Sequence, residues 1–129
     1  MPETTTQSDL PPAQEVPPNT ESKQAAAEPV NAAGPLRMTK ALFNARRDGQ
    51  GRKIAHLTSG MASIGENRSG GYYAYRMSKA ALNMLSVTLA EEIRKHGLIS
   101  VVINPGWVQT DMGGAGAPVP VRDSAAGIL

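Results

Sequence analysis

Tyr75 and Lys79 stand four residues apart in the run Tyr75-Arg76-Met77-Ser78-Lys79. On a helix that spacing projects both side chains from one face, one turn apart. A free tyrosine titrates near pH ~10 and is a poor base at neutrality, but a neighbouring ammonium favours the phenolate and lowers that value. A tyrosine so placed can exchange a proton with a substrate hydroxyl or carbonyl while hydride moves to or from a nicotinamide. Taken alone, the pair is equally at home on a solvated helix. Its meaning depends on the residues that accompany it.

Three further groups fall where an α/β sheet would present them. The run Lys53-Ile54-Ala55-His56-Leu57-Thr58 reads as a short strand and delivers Ser59 to its C-terminal end, the edge where ligands bind in open α/β sheets. A hydroxyl there can donate to a developing alkoxide. A second strand ends in Asn104-Pro105-Gly106-Trp107-Val108-Gln109-Thr110, which places a rigid turn and another hydroxyl at the same edge. Val30-Asn31 opens the first helix, where an asparagine can cap or bend the helix start or hold a water.

The elements that must position these groups follow from periodicity and punctuation. Pro35 suits the first turn of a helix carrying Leu36, Met38, Leu42 and Phe43, and Asp48-Gly49-Gln50-Gly51 ends it. A Gly- and Ser-rich loop from Ser59 to Gly71 precedes a long helix beginning near Tyr72. Its apolar residues Leu82, Leu85, Leu89 and Ile93 recur at helical spacing, its last turn holds Arg94, Lys95 and His96, and Gly97 closes it. Leu98 to Ile103 is a nearly continuous apolar run rich in β-branched residues, the pattern of a strand buried on both faces of a parallel sheet. After a loop containing Gly113, Gly114, Gly116, Pro118 and Pro120, Val121 to Leu129 can form a last helix. Helix, strand, helix, strand, helix predicts an α/β protein with a parallel sheet and crossover helices.

Composition divides the chain at about residue 29. Residues 1–29 contain Pro2, Pro11, Pro12, Pro17, Pro18 and Pro29 with almost no large apolar side chain, so a disordered Pro-rich leader is expected. Its acids Glu3, Asp9, Glu15, Glu21 and Glu28 face only Lys23, which leaves residues 30–129, the one expected domain, clearly basic. Those basic residues fall at helix ends and turns without interleaved aromatics, so no nucleic-acid partner is expected. There is no cysteine, hence no disulfide framework or thiolate metal site, and His56 and His96 lie too far apart to suggest a local ligand pair. No apolar run approaches the roughly 20 residues that span a bilayer, and no signal-peptide core opens the chain; a cytoplasmic protein without a membrane partner is expected.

Asn31, Ser59, Tyr75 to Lys79 with Ala80-Ala81-Leu82-Asn83, and Pro105 to Thr110 resemble, in order and spacing, the successive signatures of short-chain dehydrogenases/reductases. Gly70-Gly71-Tyr72-Tyr73-Ala74-Tyr75 and Thr110-Asp111-Met112-Gly113-Gly114 are most similar to the branch of C-factor-like and sniffer-type carbonyl reductases. The resemblance covers about Pro29 to Leu129. It implies a Rossmann-type doubly wound parallel sheet and NAD(P)-dependent hydride transfer on a small carbonyl or alcohol. Tyr75 would be the general acid/base and Lys79 would hydrogen-bond the nicotinamide ribose. Ser59 would orient and polarise the carbonyl, with Ser63 as its rival for that role. Asn31 would hold a water linking Lys79 to solvent. Pro105, Gly106, Val108 and Thr110 would line the nicotinamide, and the helices near 31–47 and 72–96 are those through which the family forms homo-oligomers.

The resemblance also implies a glycine-rich strand-turn-helix for the pyrophosphate, and this is not found in the sequence. Thr58 to Gly65 has its glycines at the wrong offsets, and Gly113-Gly114-Ala115-Gly116 reads better as part of a mobile substrate loop. The expectation is therefore a truncated Rossmann-type sheet with weak or no activity alone. The alternative is a catalytically silent remnant that at most pairs with intact relatives.

Overall fold

The computed structural model describes residues 29–129, so the expected disorder of residues 1–28 lies outside the described residues. The chain enters through a wide turn of π-helix at Pro29–Ala33 and continues into α1, Gly34–Asp48. Pro35 occupies the first turn, where a missing N–H costs nothing. Arg46 and Arg47 lie in the last turn, and the Gly49 N–H closes the helix on the Ala45 carbonyl at 3.0 Å.

Strand β1, Lys53–Leu57, pairs in parallel with β2, Ile99–Ile103, in the register Lys53 with Ile99 through Leu57 with Ile103. Parallel pairing requires a crossover, and α2, Tyr73–Ile93, supplies it. Ser78, Leu82, Ser86 and Ile93 are its buried positions, spaced as one helical face against the sheet. A short 3₁₀ turn, Arg94–His96, ends at Gly97 before Leu98, itself buried, feeds β2. The chain finishes in α3, Val121–Ile128, tied back to the end of β2 by Ser124 Oγ donating to the Pro105 carbonyl at 2.8 Å.

His56 shows where the layers lie. Its ring nitrogens stand 3.5 Å from Thr39 Oγ1 of α1 and 3.3 Å from Ser86 Oγ of α2, so both helices cover the same face of the sheet. Ser86 in turn shares a 2.8 Å hydrogen bond with Ser100 Oγ of β2. The opposite face is bare among the described residues: Leu57 is 51% exposed, Ile99 55% and Val101 43%. This corrects the expectation that Leu98 to Ile103 is buried on both faces. β-branched residues fit either side of a parallel strand, but burying both sides takes two helical layers, and the described residues contain one.

Candidate active site

Helix α2 carries Tyr75 and Lys79 on the turn that leans over the end of β1. Lys79 Nζ donates to the Leu57 carbonyl at 2.9 Å and stands 6.0 Å from the centre of the Tyr75 ring. The ammonium thus lies between the helix and the C-terminal edge of the strand. Partial burial lowers the Lys79 pKa from its ordinary value, since the charged form loses water there. One N–H is satisfied by Leu57 O and the other two remain to bind hydroxyls.

Ser59 follows two residues after Leu57, in extended backbone, and caps the 3₁₀ turn Gly60–Ala62. Its Oγ accepts from the Met61 N–H at 3.1 Å, so its own proton is left to donate. Ser63 makes the equivalent bond one turn later, accepting from the Glu66 N–H at 3.2 Å. Thr58, just before Ser59, is buried, and its hydroxyl donates to Asn83 Oδ1 at 2.5 Å, which anchors the strand end to α2 one turn beyond Lys79.

Asn31 joins this arrangement through Ser78, a residue to which the sequence signatures assign no role. Asn31 Nδ2 donates to Ser78 Oγ at 3.1 Å, and Ser78 Oγ donates to the Tyr75 carbonyl at 2.8 Å. Ser78 is completely buried. The signal available in sequence was its place midway between Tyr75 and Leu82 on the helix face that packs inward. Asn83 and Arg76 were missed similarly, because their partners lie on other elements.

The segment after β2 lies at the same edge. The Thr58 N–H bonds the Ile103 carbonyl at 2.9 Å, and the Asn104 side-chain amide lies against Gly60. Val108 bridges to Val119 as a parallel pair, with the Gln109 N–H donating to the Val119 carbonyl at 2.8 Å and the Val119 N–H to the Trp107 carbonyl at 3.2 Å. Thr110 Oγ1 accepts from the Gly113 N–H at 3.1 Å, and Trp107 Nε1 donates to the Gly113 carbonyl at 2.9 Å. A Cβ at Gly113 would meet the Val108 carbonyl oxygen at 1.8 Å, so glycine is required for the turn to close on the bridge. The glycines after Met112 thus belong to a hydrogen-bonded turn. The structure brings Lys79, with the Tyr75 ring beside it, to the end of β1 from which Ser59 emerges, ties Asn31 to the Tyr75 carbonyl through Ser78, and places Pro105, Gly106, Val108 and Thr110 beyond the adjoining end of β2.

The family model for short chain dehydrogenases matches residues 12–117, and the chain belongs to that family, whose members are oxidoreductases. It is 51% identical over 100 residues to the C-signal protein of Myxococcus xanthus, covering 78% of this chain and 60% of that protein. Among solved structures it resembles the carbonyl reductase Sniffer of D. melanogaster, with TM-score 0.75 and 29% identity over 95% of this chain and 50% of that one. It also resembles an NADPH-bound carbonyl reductase from chicken fatty liver, with TM-score 0.76 and 30% identity over 84% of this chain and 48% of that one. The fold is Rossmann-like, and the chain spans about half to three-fifths of the length of these relatives. No helix among the described residues is long and apolar enough to cross a membrane.

Proposed function

We propose that this chain carries the catalytic machinery of an NAD(P)-dependent oxidoreductase acting on a small carbonyl or alcohol. The observation that supports it most is the Lys79 ammonium held between Leu57 O and the Tyr75 ring at the strand edge where Ser59 emerges. The residues fit the nicotinamide end of the cofactor: Lys79 has two free N–H donors for ribose hydroxyls, and Pro105, Gly106, Val108 and Thr110 form a bonded turn at the adjoining strand end. Bound there, the dinucleotide would supply or accept the hydride. In reduction, Tyr75 gives its hydroxyl proton to the substrate oxygen as the carbonyl carbon becomes a carbinol, and Ser59 donates a hydrogen bond to that oxygen. Oxidation runs the same proton back to the Tyr75 oxygen.

Among the described residues there is no glycine-rich turn opening a helix for the pyrophosphate, and the groups placed to hold cofactor are those at the nicotinamide end. Titration with NADH and NADPH, followed by nicotinamide fluorescence, tests the reading. Saturable binding weakened at least about tenfold by Lys79→Ala supports it, since charged hydrogen bonds of this kind are worth about 1.5–3 kcal/mol. No binding at millimolar cofactor in a folded sample refutes it.

A second reading, a silent module that pairs with copies or relatives, draws on the exposed apolar residues Met38 and Leu42 of α1 and Met77, Met84 and Val87 of α2. Sedimentation velocity distinguishes it: a dimer that Met84→Glu dissociates, without nucleotide binding, favours this reading over the first.

A further inference from the structure

Arg76, the neighbour of Tyr75, directs its guanidinium at four acceptors near the two ends of the Ser59–Gly71 loop. Nε donates to the Gly71 carbonyl at 3.0 Å, Nη1 to the Met61 carbonyl at 3.2 Å, and Nη2 to Ser69 Oγ at 3.1 Å and the Gly70 carbonyl at 3.2 Å. Gly70, Gly71 and Tyr72 run consecutively through the left-handed region, at φ 65°, 68° and 53°. A tyrosine holds that conformation only where its surroundings over-determine it, and here it sits immediately before α2 with its carbonyl accepting from the Arg76 N–H at 2.9 Å. The reversed turn aims the Gly70 and Gly71 carbonyls at one guanidinium, whose planar fork of five donors no lysine reproduces.

The bond to the Met61 carbonyl extends the clamp to the serine. Ser59 Oγ accepts from the Met61 N–H, and the Met61 carbonyl accepts from Arg76, so a two-bond chain runs from Ser59 to the residue after Tyr75. Both ion pairs among the described residues lie elsewhere, Arg47 with Asp48 and Arg94 with Glu91. Arg76 meets carbonyls and a hydroxyl instead of a carboxylate, which suits a group that shapes backbone.

We propose that Arg76 is the positioning residue of the acid/base pair, locking the Ser59 turn to the left-handed run that launches the Tyr75 helix. This rests on the hydride-transfer reading above. The test compares wild type, Arg76→Ala and Arg76→Lys by amide hydrogen exchange and by NADPH-dependent reduction of a small aromatic aldehyde. In Arg76→Ala, exchange over residues 60–72 should rise at least about tenfold while residues 82–93 keep wild-type protection, as expected for local opening. Turnover kcat should fall by about tenfold with KM for NADPH unchanged, the mark of lost alignment rather than lost binding. Methylguanidinium at millimolar concentration should restore part of both losses, and Arg76→Lys should restore neither.

Unchanged exchange over residues 60–72 in Arg76→Ala would overturn the clamp, whatever the turnover. So would methylguanidinium failing to restore a variant that lost protection throughout α2. A wild-type chain without turnover would refute hydride transfer and with it the catalytic purpose assigned to Arg76, while the exchange and rescue comparison would still decide whether the clamp exists.

Discussion

Lys79 Nζ donates to the carbonyl oxygen of Leu57 at 2.9 Å, a bond across 22 residues that fastens the first turns of α2 to the end of β1. It holds the helix that carries Tyr75 against the strand that delivers Ser59, and it leaves the ammonium 6.0 Å from the Tyr75 ring. The same side chain therefore joins two elements and sets the charge beside the tyrosine.

Tyr75→Phe removes the hydroxyl and nothing else from this arrangement, since the ring packing and the Ser78 bond to the Tyr75 carbonyl remain. NADPH-dependent carbonyl reduction should fall by roughly 10²- to 10⁴-fold, the range for loss of a general acid. Cofactor binding, read by nicotinamide fluorescence, should change little.

Ser78→Ala leaves Asn31 Nδ2 without its acceptor and frees the Tyr75 carbonyl of its extra donor. Urea denaturation should show a loss of about 1–3 kcal/mol, the cost of stranding a buried polar partner. Asn31→Ala alone should cost less, and the double variant should cost less than the sum. A strictly additive cycle would show that the two side chains do not couple.

Burial lowers the His56 pKa from its ordinary value of 6.5. The unfolded chain then takes up its proton first as pH falls, so stability is complete above about 6.5 and declines through the window below it until the folded imidazole also titrates. His56→Asn keeps a polar partner for Ser86 and Thr39 but cannot titrate. Its denaturation midpoint should lose less than the wild type's between pH 7.5 and pH 5.5, measured side by side in one buffer series.

The face of the β1–β2 pair that is bare among the described residues should govern solution behaviour. Val101→Lys places a charge on that face, opposite Ala55 in the register. Light scattering should show less self-association than wild type, with thermal stability within a few degrees, because exposed apolar sheet surface invites edge and face pairing. Unchanged scattering would mean that the α1 and α2 surfaces drive association instead.

The elements were legible in sequence because their signals are local. Helical spacing marked Leu82 and Ile93, Gly97 marked the end of the turn after α2, and the β-branched run marked β2. Sequence reading placed the helix start near Tyr72, and the structure begins it at Tyr73 with Tyr72 as the left-handed residue before it. The opening at Asn31 proved to be a π-helical turn leading into α1, a distinction of one hydrogen-bond register that composition does not carry.

By itself the sequence determined which chemistry is available: the four-residue spacing of Tyr75 and Lys79, a serine ending one strand, and a turn ending the other follow from residue type and period. Only the tertiary structure decided how these groups are held. Asn31 reaches Ser78 across 47 residues, Thr58 reaches Asn83 across 25 and Arg76 reaches Met61 across 15. Nor could sequence show that, among the described residues, β2 has one covered face and one bare face, since that depends on which layers are present. Periodicity is a property of neighbours along the chain, whereas a hydrogen bond between elements exists only once the crossover helix has folded back onto the sheet.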